Sequence, residues 1–323
     1  DDLFYIQSMT KPIITAAFMM LYEEGHFELT DPVHKYLPEF KNLQVMLNPE
    51  AGRDSPLTDL ESDITIEHLL THTAGFSHGL APTDFEREMM QAIFMSPHET
   101  IQDRVQTLLT FPLIGQPGEQ WYYSAAPDIL SVLIEKFSGK STPEFLNERI
   151  FGPLEMDRTF YNVPASLSAE IVKNHGYNEN GSLQTTEFQP ASTDVTVWSG
   201  VNGLYSTVDD YFKFCQMMLN GGSLNGNHLL SRKTIEIMTM NQTGTLFGGD
   251  GTGFGLGFAV VYDLAETDNL GSEGMYFWGG AYNTHFYIDP EEKIISLFFT
   301  QLEPYNNFYH MKLRQMVYQA LIE

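Results

Sequence analysis

The chain has 323 residues, 42% of them hydrophobic and 13% aromatic, and a formal net charge of −25. This acidic excess argues against nucleic acid and anionic membranes as partners, because both bind through clustered lysine and arginine side chains. No run of residues is long and apolar enough to predict a membrane span, and the single cysteine, Cys215, excludes a disulfide within the chain.

The first predicted elements are a short strand over residues 3–7 and an apolar helix from about Ser8 to Glu24. Pro12 lies in the first turn of this helix, where proline is tolerated, and Gly25 ends it. Apolar spacing and helix-start signals predict further helices along the chain. They cover residues 65–75, 128–137, 143–150, 208–219, 231–240 and 307–321.

Strands are predicted near the C-terminus, where Val, Ile and Phe become frequent, over residues 257–262, 285–288 and 293–300. A turn at residues 289–292 would join the last two strands. Residues 76–120 are expected to be rich in loops, and residues 157–205 are expected to be irregular. If the N-terminal strand pairs with the C-terminal hairpin, one antiparallel sheet forms from distant parts of the chain.

The predicted fold is therefore α/β (α+β), an antiparallel sheet flanked by helices with a mostly helical domain inserted. Residues 1–50 and 200–323 would form the sheet domain, and residues 51–199 the helical, loop-rich domain. Ser8 would then lie where the two domains meet, and clefts tend to form at such junctions.

Ser8 is followed three residues later by Lys11, at the start of the first predicted helix. Residues three apart share a helix face, so the lysine amine can lie beside the serine hydroxyl. A partly desolvated lysine can accept the serine proton and make the hydroxyl a nucleophile. The pair alone is a weak signal, because a helix-capping serine followed by a solvated lysine has the same spacing.

Two further segments could complete such a site. Tyr123 follows a Pro-Gly turn and precedes a helix, so its phenol could act as general base and then as acid, if an adjacent ammonium lowers its pKa. Gly279 and Gly280 would let a substrate approach the backbone, and a strand N–H there could bind an oxyanion together with the N–H of Ser8. A buried aromatic residue and an ordinary glycine turn are the simpler explanations of each segment by itself.

The segments around Ser8 and Lys11, Tyr123, and Trp278 have the order and approximate spacing of the three motifs of serine β-lactamases and penicillin-binding proteins. The chain resembles the class C β-lactamase-like family, and within it the family VIII carboxylesterases. The resemblance extends over nearly the whole chain and includes residues 69–75, 151–156, 203–207 and 253–258. The family normally has a helix and strands before the serine, so we expect either that the sequence is a fragment or that the sheet domain lacks its usual first strands.

The resemblance implies an acyl-enzyme mechanism that uses no metal ion and no cofactor. Ser8 would attack a carbonyl carbon, and Lys11 and Tyr123 would move the proton to the leaving alcohol. The backbone N–H groups of Ser8 and Ala281 would bind the oxyanion. The substrate would contact Tyr122, Trp278, Gly279 and Gly280, and Tyr122 is an alternative to Tyr123 as the catalytic phenol.

Two departures from the β-lactamase pattern bear on the substrate. β-Lactamases usually have Lys-Thr-Gly as the third motif, whereas Trp278 replaces the cation here. Their second motif usually ends in asparagine, whereas Ala125 is present here. Because both polar contacts are lost in an acidic protein, we expect an esterase for short, neutral esters with little β-lactamase activity. A β-lactamase, a D-amino-acid peptidase and an acyltransferase would use the same residues and are the alternatives.

Competing sites give weaker signals. Ser77 lies in a Gly-x-Ser-x-Gly segment, typical of the α/β-hydrolase nucleophile, but a helix pattern rather than a strand precedes it. His68, His72 and His78 are close in sequence, yet no His-Glu-x-x-His pattern indicates a metal site. Cys215 is expected to be a packed apolar residue rather than a nucleophile.

A non-catalytic penicillin-recognition-like binding protein is the alternative of a different class. The expected partner is a small ester, and both a monomer and a homodimer are compatible with the sequence. We expect a cytoplasmic protein, with an export segment before Asp1 left open because the chain begins in the middle of a pattern.

Overall fold

The structure, a computed structural model, describes residues 2–322. In this part of the chain the α-helices are α1 (Thr10–Glu23), α2 (Ile66–Leu70), α3 (Asp84–Met90), α4 (Ile101–Leu108), α5 (Ala126–Ser138), α6 (Thr142–Leu146), α7 (Gly152–Leu154), α8 (Val208–Leu219), α9 (Arg232–Met238) and α10 (Phe308–Tyr318). The strands are β1 (Phe4–Tyr5), β2 (Gln44–Met46), β3 (Leu57–Asp59), β4 (His175–Tyr177), β5 (Leu183–Thr185), β6 (Tyr205–Ser206), β7 (Ser223–Leu224), β8 (Asn227–His228), β9 (Thr252–Phe254), β10 (Ala259–Val261), β11 (Tyr276–Gly280), β12 (Thr284–Asp289) and β13 (Ile294–Phe298).

The main sheet has five antiparallel strands in the order β13-β12-β11-β10-β9. It confirms the α/β class with an antiparallel sheet near the C-terminus. The turn between β12 and β13 forms as predicted, and the Asp289 carboxylate accepts from the backbone N–H groups of Glu291 and Glu292, at 3.1 Å each. Two strands, β9 and β11, are absent from the prediction. Glycines interrupt the alternating pattern of both, so pairing with their neighbours, rather than local propensity, makes them strands.

The N-terminal strand does not join this sheet, so the expected pairing with the C-terminal hairpin is wrong. β1 pairs with β6 instead, with Tyr5 opposite Tyr205. The chain leaves the extended conformation after Tyr5 and enters a 3₁₀ turn at Gln7, so the strand is too short to form a longer ladder. The side chain of Gln301 connects β1 to the segment after β13 through both backbone groups of Tyr5, at 3.3 and 3.1 Å.

α1 is the central helix of the core. All its residues from Thr10 to Leu21 are buried, as expected for a helix that is apolar on every side and surrounded by protein. It packs against α5 and against the segment just before β10. Gly257 makes the second contact possible, because a Cβ there would lie 2.5 Å from the Thr15 hydroxyl oxygen. The predicted helix over 8–24 is thus confirmed, with a 3₁₀ turn as its beginning.

The segment 76–120 contains helices rather than loops alone, which corrects the prediction. Thr83 and Thr100 begin α3 and α4, and each side chain accepts a backbone N–H three residues later. Both helices are short and lie near prolines, so the periodic signal in the sequence is weak. Residues 157–205 contain only short elements, as predicted. Among the described residues, no helix is long and apolar enough to cross a membrane.

Candidate active site

Ser8 lies in a 3₁₀ turn that immediately precedes α1. The turn spans Gln7–Met9, and Gln7 has a φ of +49°, which is uncommon for a residue other than glycine. Two hydrogen bonds hold this conformation: the Met9 N–H donates to the Ile6 carbonyl at 3.0 Å, and the Tyr211 hydroxyl donates to the Met9 carbonyl at 2.9 Å. The serine is therefore held in a fixed turn at the N-terminal end of the buried helix.

Three side chains meet at the Ser8 hydroxyl. The Nζ of Lys11 lies 3.0 Å from Ser8 Oγ, and the phenol oxygen of Tyr123 lies 2.7 Å from the same atom. Nζ also lies 4.6 Å from the centre of the Tyr123 ring and donates to the carbonyl of Val201 at 3.0 Å. The structure thus brings together the three residues that the sequence predicted as nucleophile, base and proton carrier. α5, which follows Tyr123, packs against α1 and so brings the phenol to Ser8.

Burial shifts the pKa values of Lys11 and Tyr123 in opposite directions. It lowers the pKa of Lys11 well below its ordinary value, because the ammonium loses its hydration, while Asp128 raises this pKa to a smaller extent. Burial also raises the pKa of Tyr123 well above its ordinary value, although the bond to Ser8 favours the ionised phenol. Lys11 is therefore the better proton acceptor, and Tyr123 is a neutral phenol. The condition for Tyr123 to act as a general base, a pKa lowered by an adjacent ammonium, is therefore not met.

The buried carboxylate of Asp128 fixes the backbone segment to which Lys11 is hydrogen-bonded. Oδ1 of Asp128 accepts from the Ser199 hydroxyl at 2.6 Å and from the Val201 N–H at 3.1 Å. These bonds fix the Val201 carbonyl, which in turn accepts from Lys11. Asp128 is not among the residues predicted from the sequence. An acidic residue in the first turn of α5, five residues after Tyr123, is the signal that could have identified it.

Aromatic rings surround the phenol of Tyr123. The imidazole of His78 stacks on it with ring centres 4.8 Å apart, and Trp278 packs at 5.6 Å. His72 holds both neighbours of Tyr123 in the chain: its carbonyl accepts from the Tyr122 N–H at 2.9 Å, and its Nδ1 lies 2.8 Å from the Ser124 hydroxyl. His72 has a φ of +58° and is buried, so its backbone is constrained where it supports the loop.

The two glycines of β11 have different surroundings. A Cβ at Gly280 would lie 2.5 Å from the carbonyl oxygen of Ile6, so this glycine lets β11 pack against the turn that contains Ser8. Gly279 lies opposite His285 in the sheet and faces the cavity described below. Ala281 follows the strand, is exposed and lines the same cavity, and its N–H donates to no acceptor among the described residues. The backbone at Ala281 is therefore free to bind an oxyanion.

A large cavity of about 1250 Å³ opens at the serine. Its lining includes most of the predicted site residues: Ser8, Tyr123, Trp278, Gly279, Gly280 and Ala281. Tyr122 does not line it. The Tyr122 hydroxyl donates to the side chain of Gln120 at 3.0 Å, and its ring lies against Gly115. The geometry therefore favours Tyr123 over Tyr122 as the catalytic phenol.

The competing sites have structural roles. The Ser77 hydroxyl is buried and donates to the Glu86 carboxylate, with 2.5 Å to each oxygen, and the element just before it is α2 rather than a strand. His68 completes the N-terminal cap of α2 with Thr65. Within residues 2–322, no group of three or more His, Cys, Asp or Glu side chains could hold a metal ion. Cys215 is buried in α8, and burial raises the pKa of its thiol.

Comparison with known proteins identifies the family of the chain. The family model described as Beta-lactamase matches residues 1–320. An uncharacterised protein of Mycobacterium tuberculosis is 32% identical over 93% of this chain and 78% of its own length. A carboxylate methylbutanoyltransferase of Penicillium citrinum is 27% identical, covering 94% and 76%, and the esterase EstB of Burkholderia gladioli is 26% identical, covering 90% and 74%.

One solved structure illustrates the likeness in fold. The chain is similar to EstCE1, described as a hydrolase with promiscuous acyltransferase activity, with a TM-score of 0.82 and 23% identity. The match covers 98% of this chain and 85% of that one. At this level of identity, the comparison shows a shared fold and nothing further.

Proposed function

The chain belongs to the Beta-lactamase family, whose members include serine hydrolases and acyltransferases, and we propose that it is a serine carboxylesterase of the family VIII type. It cleaves short, neutral carboxylic esters through an acyl-serine intermediate. The observation that carries the proposal is the convergence of Lys11 Nζ and the Tyr123 hydroxyl on Ser8 Oγ, at 3.0 and 2.7 Å. A nucleophile needs a base within this distance to be activated.

The proton follows these contacts. As Ser8 Oγ bonds to the ester carbon, its proton passes to the neutral amine of Lys11. The Tyr123 phenol then donates its proton to the leaving alcohol oxygen as the C–O bond breaks, and Lys11 gives the proton taken from Ser8 to the resulting phenolate. Water attacks the acyl-serine next, gives its proton to Lys11, and the acid leaves as Ser8 regains a proton. The N–H groups of Ser8 and Ala281 bind the oxyanion in both halves.

Neutral substrates are supported by the residues around the serine. Trp278 lines the cavity where β-lactamases usually have a cation, and Ala125 is buried and has no side-chain amide. The cavity wall is mainly apolar and aromatic, so an anionic β-lactam would find few polar partners there. The esterase EstB among the relatives is compatible with this substrate class.

Acyl transfer to an alcohol is the second candidate function. The same acyl-serine forms, and an alcohol replaces water in the second half of the reaction. The cavity of about 1250 Å³ has room for such an acceptor, and the methylbutanoyltransferase relative supports this function. β-Lactam hydrolysis, D-amino-acid peptide hydrolysis and non-catalytic binding have no comparable support from the residues that line the cavity.

The direct test combines covalent labelling with a substrate panel. A fluorophosphonate should label the native protein, and Ser8→Ala should abolish the label. Nitrophenyl esters of increasing chain length are assayed beside a chromogenic cephalosporin, with and without an added alcohol. Hydrolysis of the esters with little cephalosporin turnover supports the esterase. Faster release of nitrophenol with the alcohol, together with a new ester product, supports the transferase, and no label supports a binding protein.

A further inference from the structure

The cavity at Ser8 is larger and more apolar than a short ester requires. Its volume of about 1250 Å³ exceeds the ~300–1,000 Å³ that is usual for small-molecule sites. Three apolar side chains that line it are more than half exposed and so form its rim: Leu80 at 61%, Met95 at 56% and Phe188 at 59%. An apolar rim continuous with an apolar cavity indicates a bulky apolar ligand.

One cation interrupts this apolar lining. Arg104 is the only lysine or arginine among the described residues that line the cavity, and its side chain is 13% exposed. Its Nε and Nη1 are shielded from solvent and donate to no acceptor among the described residues. The third guanidinium nitrogen, Nη2, also makes no hydrogen bond to the described residues. It is the nitrogen that solvent reaches. Nη2 therefore has unused N–H donors at the cavity wall.

Asp128 balances the charge of Arg104 but accepts no hydrogen bond from the guanidinium N–H groups. Its Oδ2 lies 3.5 Å from Arg104 Nη1, which is too long for a good hydrogen bond. Its Oδ1 already accepts from Ser199 and Val201. A ligand carboxylate would enter beside this buried aspartate, within a chain of net charge −25. A neutral acceptor such as a carbonyl oxygen can bond to the same donors without that repulsion.

We propose that Arg104 binds a second, neutral oxygen atom of a bulky and otherwise apolar ester, such as the carbonyl of a keto ester or of a diester. This inference rests on the proposed esterase function, keeps its neutral esters, and changes the preferred substrate from a short ester to a bulky one. The ester carbonyl lies at Ser8, the apolar body fills the cavity and reaches the rim, and the second oxygen accepts from the Arg104 guanidinium. Arg104 thereby determines both the orientation and the specificity of the substrate.

Matched substrates test the proposal. On the acyl side, 4-nitrophenyl hexanoate, 4-nitrophenyl 5-oxohexanoate and the 4-nitrophenyl half-ester of glutaric acid differ only in an ethyl, acetyl or carboxylate end. On the alcohol side, hexyl acetate is compared with 5-oxohexyl acetate. The readout is the ratio of kcat/KM values within each series. It is measured for the native chain, for Arg104→Met and for Arg104→Met with Asp128→Asn, which removes both charges together.

The native chain should prefer the keto ester by about tenfold in at least one series, the effect of one hydrogen bond to a charged donor. Both variants should bring that ratio close to one. Equal rates for keto and apolar esters in both series, a preference that survives Arg104→Met, or a preference for the glutarate half-ester would each overturn the inference alone. Absence of any Ser8-dependent hydrolysis in either series would overturn the proposed esterase function as well.

Discussion

The phenol oxygen of Tyr123 lies 2.7 Å from the Oγ of Ser8, although the two residues are 115 positions apart in the chain. The ring is held by the stacked imidazole of His78, and Lys11 Nζ lies 4.6 Å from its centre. The ring of Tyr123 makes the packing contacts, and its hydroxyl alone contacts Ser8. A variant that removes only the hydroxyl therefore tests the catalytic role without disturbing the packing.

Removal of the Tyr123 hydroxyl is the first test. Tyr123→Phe keeps the ring and its stacking but removes the group that carries a proton to the leaving alcohol. We expect kcat/KM for an alkyl ester such as hexyl acetate, whose alkoxide must be protonated to leave, to fall by about 10²- to 10⁴-fold, the usual contribution of a positioned acid or base. The thermal unfolding midpoint should change little. Tyr122→Phe is the matched control, and an equal loss in that variant would contradict the assignment.

The identity of the nucleophile is tested by two serine variants. Ser8→Ala should lower kcat/KM by at least about 10³-fold, because no acyl intermediate can form. Ser77→Ala should keep the rate within about twofold, yet lower the free energy of unfolding by about 1–3 kcal/mol, because Glu86 loses its buried hydrogen-bond donor. Ester assays measure kcat/KM, and urea unfolding measures the free energy of unfolding, for each variant. The reverse pattern would move the active site to Ser77.

The pH dependence of kcat/KM should identify Lys11 as the general base. Its amine must be uncharged to accept a proton, so kcat/KM should rise as pH increases through the Lys11 pKa, which burial places well below 10.5. The charge of Asp128 raises this pKa, so Asp128→Asn should shift the rising limb to lower pH. No falling limb from Tyr123 is expected near pH 10, since burial raises its pKa. A limb that does not move in Asp128→Asn would contradict this assignment.

The buried lysine should also make stability depend on pH. Between the folded and unfolded pKa values of Lys11 the unfolded chain binds more protons, so the free energy of unfolding rises with pH by about 1.4 kcal/mol per unit. Lys11→Met removes this slope and abolishes activity. The stability of Lys11→Met relative to the native chain should therefore decrease steadily up to about pH 10.4, the unfolded value. Urea unfolding at several pH values measures the free energy of unfolding of both chains. If the two plots of this free energy against pH are parallel, Lys11 has no depressed pKa in the folded chain.

His72 should act by positioning Tyr123 rather than by touching the substrate. His72→Ala removes the contact with Ser124, and we expect kcat to fall by about tenfold to a hundredfold, equivalent to one buried hydrogen bond. KM should change less. His72→Asn should recover part of kcat, because asparagine tolerates a positive φ and can bond to Ser124. If the variants lose stability and yet keep kcat, the role of His72 is structural only.

Several features of this protein follow from local sequence. The helix that contains Lys11 is fixed by a continuous apolar segment and a proline in its first turn, and α8 over Val208–Leu219 matches its predicted bounds. The pairing of Ser8 with Lys11 follows from helix spacing. Such features need only neighbours within one or two turns, which is the range over which side-chain spacing predicts contacts.

Other features depend on long-range packing. Contacts between distant segments determine whether Tyr122 or Tyr123 faces Ser8, and which strand pairs with β1. The directions of the Lys11 and Tyr123 pKa shifts arise from burial, and the contribution of Asp128 arises from bonds to Ser199 and Val201. Residue type and short spacing indicate which side chains could react, so the residues proposed to be catalytic could be named before any fold was known. Their protonation states and the size of the cavity could not, because desolvation and volume depend on what surrounds a side chain.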